Sequence, residues 1–160
     1  MANSNLRAVA ESVGLTDVAS IISSGNLVFQ TPLAAVDVEA ELEAAWPREL
    51  GFDSTTMVRS RDEIETLVDL NPFGDRTHGP DSYLLVTFAK HLLPPDLADS
   101  MPPADDIGLV GRTDRELFTV TDTTMRAAGL STMAWLEADL GKQITSRTWL
   151  TIGRILKKMG

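Results

Sequence analysis

Val18-Ala19-Ser20-Ile21-Ile22-Ser23-Ser24-Gly25-Asn26-Leu27-Val28-Phe29-Gln30 sets two strand-favouring runs on either side of a turn. Residues 18–23 are β-branched or small, residues 27–30 bring Leu, Val and Phe, and Ser24-Gly25-Asn26 supplies turn residues between them. Glycine and asparagine both tolerate the left-handed backbone region that a tight hairpin requires. The stretch predicts a β-hairpin, and therefore a sheet that is antiparallel at least locally.

Helices are legible on both sides of it. Upstream, Leu6, Val9, Ala10 and Val13 recur at helical spacing behind the capping residues Asn3 and Ser4, and Gly14 stands where a C-terminal cap belongs. Downstream, Val38, Leu42 and Ala45 mark a helix over 35–45, which Pro47 should kink or stop by removing a backbone donor. Residues 54–59 read as a strand. Ser60 and Glu63 have capping-box spacing, in which hydroxyl and carboxylate satisfy each other's backbone amides, and they open a helix with Ile64, Leu67 and Val68 on its apolar side. Asn71-Pro72 closes that helix, because the residue before proline avoids helical dihedrals.

Residues 73–80 form a loop rich in Gly, Pro and Asp, and the nearly all-apolar run 83–88 predicts a central strand. A short helix is expected from Pro94-Pro95. A second hairpin is expected from 107–110 and 116–121, turning across 111–114. Ser131 should cap a helix that carries Met133, Leu136 and Leu140 and stops at Gly141. The last helix is expected over 147–158, with Trp149, Ile152, Leu156 and Met159 as its apolar stripe. One hairpin in each half, with helices around it, predicts an α+β fold of mainly antiparallel sheets and flanking helices. Tandem ferredoxin-like (α/β plait) subdomains satisfy the pattern: residues 1–60, and residues 61–160 with the terminal helix.

The bulk properties narrow the function classes. The chain has 160 residues, 43% of them hydrophobic, which is enough to bury a core without a covalent staple. It has no cysteine, which excludes disulfides, thiol catalysis and thiolate metal sites. No apolar run approaches the roughly 20 residues that span a bilayer, and Met1-Ala2-Asn3-Ser4-Asn5 has neither the basic nor the apolar region of a signal peptide, so a cytoplasmic location is expected. The formal charge is −9. It is unevenly placed: after Asp139 there is no acid, and Lys142, Arg147, Arg154, Lys157 and Lys158 give the tail +5, leaving −14 on residues 1–141. The tail reads either as cations that complement a helix C-terminus or as an anion-binding face.

Several phrases resemble an uncharacterised bacterial family, the domain of unknown function 1697. They are Ile21-Ile22-Ser23-Ser24-Gly25-Asn26-Leu27-Val28-Phe29, Val58-Arg59-Ser60, Asn71-Pro72-Phe73, Val86-Thr87-Phe88, Val110-Gly111-Arg112 and Thr145-Ser146-Arg147-Thr148-Trp149-Leu150-Thr151, in that order along the chain. The resemblance implies two packed plait-like subdomains and no established activity. It also implies a strand and a glycine loop ahead of the first helix, and asparagine on both sides of the tryptophan. Here the chain starts almost at the helix, and Thr148 and Leu150 flank Trp149. In a plait the first strand lies mid-sheet, so 27–30 or 54–59 is expected to be left with an unpaired edge. The expectations are an upstream start in the natural protein and, for this chain, a rearranged sheet or one completed by a homodimer.

Candidate chemistry is sparse. His78, beside Asp75, Arg76 and Asp81, and His91 both read as loop residues, and no nucleophile elbow, phosphate loop, dinucleotide fingerprint or zinc motif is present. Asp105-Asp106 and Asp114 are closest to an acidic cluster, and surface charge explains them. No cofactor or metal is expected, and whether the protein is an enzyme is left open. The nine aromatic residues are scattered through an acidic chain, so nucleic acid is not expected either. The turn Ser24-Gly25-Asn26 offers a small backbone nest for an anion, or is a turn alone. Arg147, Thr151, Arg154 and Lys158 recur as one helical stripe, and Arg147 near a helix start calls for a negative partner, either a carboxylate of the protein or a bound anion. Arg112 can join either arrangement. The chain therefore reads as a binding module for a small anionic ligand or a protein partner, away from any membrane. The alternative is an enzyme acting on a small anionic metabolite.

Overall fold

A computed structural model describes residues 3–22, 25–97, 107–122, 136–138 and 140–160. The chain divides into two compact units, Met1–Thr66 with Gly153–Gly160, and Leu67–Ile152.

The first unit begins with α1 (Asn3–Ser12). Its end is a Schellman cap: Gly14 at φ 94° donates to Glu11 O (3.0 Å), and Leu15 donates to Ala10 O (3.2 Å). The predicted hairpin follows as β1 (Thr16–Ile21) and β2 (Asn26–Gln30), paired antiparallel with Ser20 opposite Leu27 and Ile21 opposite Asn26. Together they are a two-stranded sheet. α2 (Ala35–Leu50) runs on past Pro47 and ends at Gly51, whose N–H reaches Pro47 O. The proline falls in the last turn, where it removes little of the ladder. Trp46 before it is held helical by burial, by stacking on Phe52 at 6.3 Å and by an Nε1–H bond to Thr56 Oγ1 (2.9 Å). Val9, Ala10, Leu15, Val38, Leu42, Ala45 and Trp46 form the core of this unit.

The strand expected at 54–59 is absent from any ladder. Side chains of α2 take its polar groups instead: the Val58 N–H donates to Glu39 Oε2 (2.9 Å), and Thr56 accepts from Trp46. The capping box forms in both directions at 3.1 Å, Glu63 N–H to Ser60 Oγ and Ser60 N–H to Glu63 Oε1, and opens α3 (Arg61–Leu70). Asn71, with φ 48°, leaves the helical region before Pro72.

The second unit is built on a four-stranded antiparallel sheet of order β4-β5-β3-β6. Its strands are β3 (Tyr83–Ala89), β4 (Ile107–Arg112), β5 (Glu116–Thr121) and β6 (Ile144–Thr148). β3 is central, as its apolar run requires, and β4–β5 is the second predicted hairpin. β6 corrects the sequence reading. Residues 147 and 148 belong to a strand on the edge of β3, and the last helix, α4, covers Trp149–Met159. The Ser131 cap and Met133 of the penultimate helix lie outside the described residues. Leu136 is buried, and Gly141, at φ 81°, ends this helical stretch by donating to Glu137 O.

Alternate rows of the sheet face opposite sides. One face carries Ala89, Ile107, Leu117 and Ile144 into a core with Leu93, Leu97 and Leu136. The other carries Val86 and Phe118, on which Phe73 packs edge-on at 5.9 Å. Phe73 also meets Trp149 at 5.2 Å. The fold is thus mixed α/β with antiparallel sheets. Among the described residues no helix is long and apolar enough to cross a membrane.

Candidate functional site

The corner where β6 runs into α4 gathers the most polar functionality among the predicted positions. Arg147 lies opposite Val86 on β3, in the row that continues to Phe118 and Gly111. It is half-buried, and its Nη1 donates to Thr145 Oγ1 (2.6 Å) and to Ser146 O (2.7 Å). Burial lowers the guanidinium pKa, since a low-dielectric setting disfavours the charged form. The next residue, Thr148, caps α4: its Oγ1 accepts the Thr151 N–H (3.3 Å) and lies 3.0 Å from Thr151 Oγ1. Thr151 is buried. The corner therefore places a desolvated cation just ahead of a helix start, whose first-turn N–H groups have no intrahelical acceptors, while Thr148, in the row of Leu85, lies on the sheet face opposite to Arg147.

The other predicted positions are placed differently. Arg112 sits on β4 opposite Leu117, in the row of Thr87 and Ser146, so it projects from the face opposite to Arg147. The two arginines are on the two edge strands, three strand spacings or roughly 14 Å apart. Arg112 instead ties its own surroundings, donating from Nε to Thr113 O (3.1 Å) and from Nη1 to Pro94 O. The single stripe of Arg147, Thr151, Arg154 and Lys158 does not exist, because Arg147 is a strand residue. Arg154 is exposed on α4 and counts with the first unit.

In the hairpin turn Ser24 lies outside the described residues. Gly25 has φ 77°, and the Asn26 Nδ2 donates to Ile21 O (3.2 Å), across the turn it closes. His78 is a turn fastener: its Nδ1 accepts the Leu84 N–H (3.1 Å), and its ring lies 4.5 Å from that of Tyr83. Asp105 and Asp106 lie outside the described residues, among which no cluster of three metal-ligating side chains occurs.

The family described as Protein of unknown function (DUF1697) matches residues 1–118. The chain belongs to the DUF1697 family. No curated protein matches it. Among solved structures, the DUF1697 chain is similar to a conserved bacterial protein from Streptococcus pneumoniae, with a TM-score of 0.73 and 18% identity over 100% of this chain and 89% of that one. At that identity the likeness speaks for the fold alone. The hairpin phrase that carried the resemblance lies inside the matched DUF1697 region, and the β6–α4 corner lies beyond it.

One site feature lay beyond the sequence reading. Thr87, Thr119 and Thr121 are all buried on one face of the sheet, with Ser146 of β6 in the same row as Thr87. In a sequence such threonines read only as β-branched strand formers.

Proposed function

We propose that this DUF1697 protein is a binding module whose second unit takes a small anion at the β6–α4 corner, with Arg147 as its charged anchor. The observation that carries the reading is the half-buried Arg147 guanidinium ahead of a helix start. Burial and the positive end of the helix both disfavour a cation there, and both penalties fall when an anion shares the site. The start of α4 follows Arg147 closely in the chain, and helix N-termini favour phosphate and carboxylate groups. Arg112 stands apart from this anchor, and Gly25, Asn26 and Arg154 belong to the other unit.

The same reading takes the chain as a cytoplasmic protein of two plait-like halves, 1–60 and 61–160, with a second copy pairing along β2. The supports for the pairing are the two-stranded N-terminal sheet and the position of residues 54–59 outside any ladder. An unpaired strand edge is a template for another strand.

A thermal-shift screen of phosphorylated and carboxylated metabolites tests the anion site. A ligand at 100 times its dissociation constant should stabilise the chain by about 2.7 kcal/mol, and Arg147→Ala should abolish the shift. If the full shift survives in Arg147→Ala, the anchor is elsewhere. If sedimentation shows a monomer at micromolar concentration, the pairing along β2 fails.

A further inference from the structure

Thr119 stands in the middle of β5 with none of its surface exposed, and its hydroxyl has no hydrogen-bond partner among the described residues. A buried hydroxyl left unpaired is costly, and folded proteins rarely tolerate one. Its setting is specific. Thr119 faces Leu85 on β3 and Leu109 on β4, and Thr87 is its diagonal neighbour on the same face. Thr87 is itself 1% exposed, and its Oγ1 lies 2.7 Å from Ser146 Oγ on β6. That bond leaves acceptor capacity on the Thr87 oxygen, which has two lone pairs.

The spacing selects the link. Diagonal residues in an antiparallel pair have Cβ atoms roughly 7 Å apart, too far for one hydroxyl to reach the other directly. A single water, bonded at about 2.8 Å on each side, spans roughly 5 Å, which is what remains once both hydroxyls lean inward. We propose that one ordered internal water bridges the Thr119 hydroxyl to the Thr87–Ser146 pair. The occupant is neutral, because a buried anion needs a counter-charge: Arg147 projects from the opposite face, and Arg112, on the same face, is spent on Thr113 O and Pro94 O. The site is therefore separate from the anion corner. Beside a core cluster of leucine, isoleucine and alanine it fixes the register of β5 on β3, since a one-residue slip would carry Thr119 to the other side of the sheet.

A high-resolution crystal structure of the full chain, read together with thermal unfolding of Thr119→Val and Thr119→Ser, tests this. The expected result is a water peak within hydrogen-bond distance of Thr119 Oγ1 and of Thr87 Oγ1 or Ser146 Oγ. Thr119→Val should lower the midpoint by about 2–4 °C, and Thr119→Ser should keep the peak. No peak, together with a Thr119→Val midpoint equal to or above wild type, is the behaviour of a dry orphan hydroxyl and overturns the proposal.

Discussion

Replacing Glu39 with alanine is expected to release residues 54–60 from the N-terminal core. Glu39 is buried on α2, and its Oε2 accepts the Val58 N–H at 2.9 Å. Val58 itself packs against the cluster built on Val38, Leu42 and Trp46. A hydrogen bond to a carboxylate contributes about 1.5–3 kcal/mol. The lost methylene adds about 0.8 kcal/mol. The total is about 2–4 kcal/mol, which at a slope near 2 kcal/mol/M is a fall of roughly 1–2 M in the urea midpoint. Glu39→Gln keeps an acceptor and most of the volume and should lose less than half as much. Hydrogen exchange at the Val58 amide supplies the local readout and should accelerate in Glu39→Ala. If Glu39→Ala unfolds within about 0.5 kcal/mol of wild type with unchanged exchange at Val58, side chains of α2 do not replace the missing ladder.

Phe73→Ala should destabilise the second unit by about 3–5 kcal/mol, because Phe73 is almost fully buried and makes edge contacts with both Phe118 and Trp149; a loss under about 1.5 kcal/mol in urea unfolding would contradict that packing. For pH, burial lowers the Arg147 pKa. A cation with a folded pKa below its unfolded one weighs against the fold at low pH, and the penalty is relieved only as pH rises through the folded value. Arginine stays protonated across the working range, so Arg147 contributes no step between about pH 5 and 9. The affinity for a phosphate monoester at this corner should then follow only the ligand's own ionisation near pH ~6, and calorimetric titrations across that range would expose any further step.

What was legible in the sequence was local chemistry. Ser60 and Glu63 announce their capping box because both partners lie within one turn. Gly14 announces its cap, and Gly25-Asn26 the hairpin, because each answers a backbone demand of its own neighbourhood. What failed was pairing between distant segments. Residues 144–148 hold Ile, Thr and Thr, good strand formers, but the spacing of Trp149, Ile152 and Leu156 drew the helical reading back over Arg147. Only the free edge of β3, some 60 residues earlier, makes that segment a strand. Residues 54–59 failed the other way, with a strand-like sequence and no ladder.

The candidate site divides along the same line. Arg147 could be singled out as a misplaced cation, but its element was misread. Whether Arg112 joins it depends on sheet register, including the irregularity between Leu109 and Gly111, which no spacing reveals. Thr119 carried no signal at all, since an orphan hydroxyl exists only once the strands are aligned.

The most direct test of the anion corner is a side-chain NMR titration that follows the Arg147 Nε–H while inorganic phosphate, and then a phosphorylated metabolite, is added. A saturable shift at Arg147 that leaves exposed Arg154 unmoved is the predicted result. Equal, non-saturating movement of both arginines would contradict it.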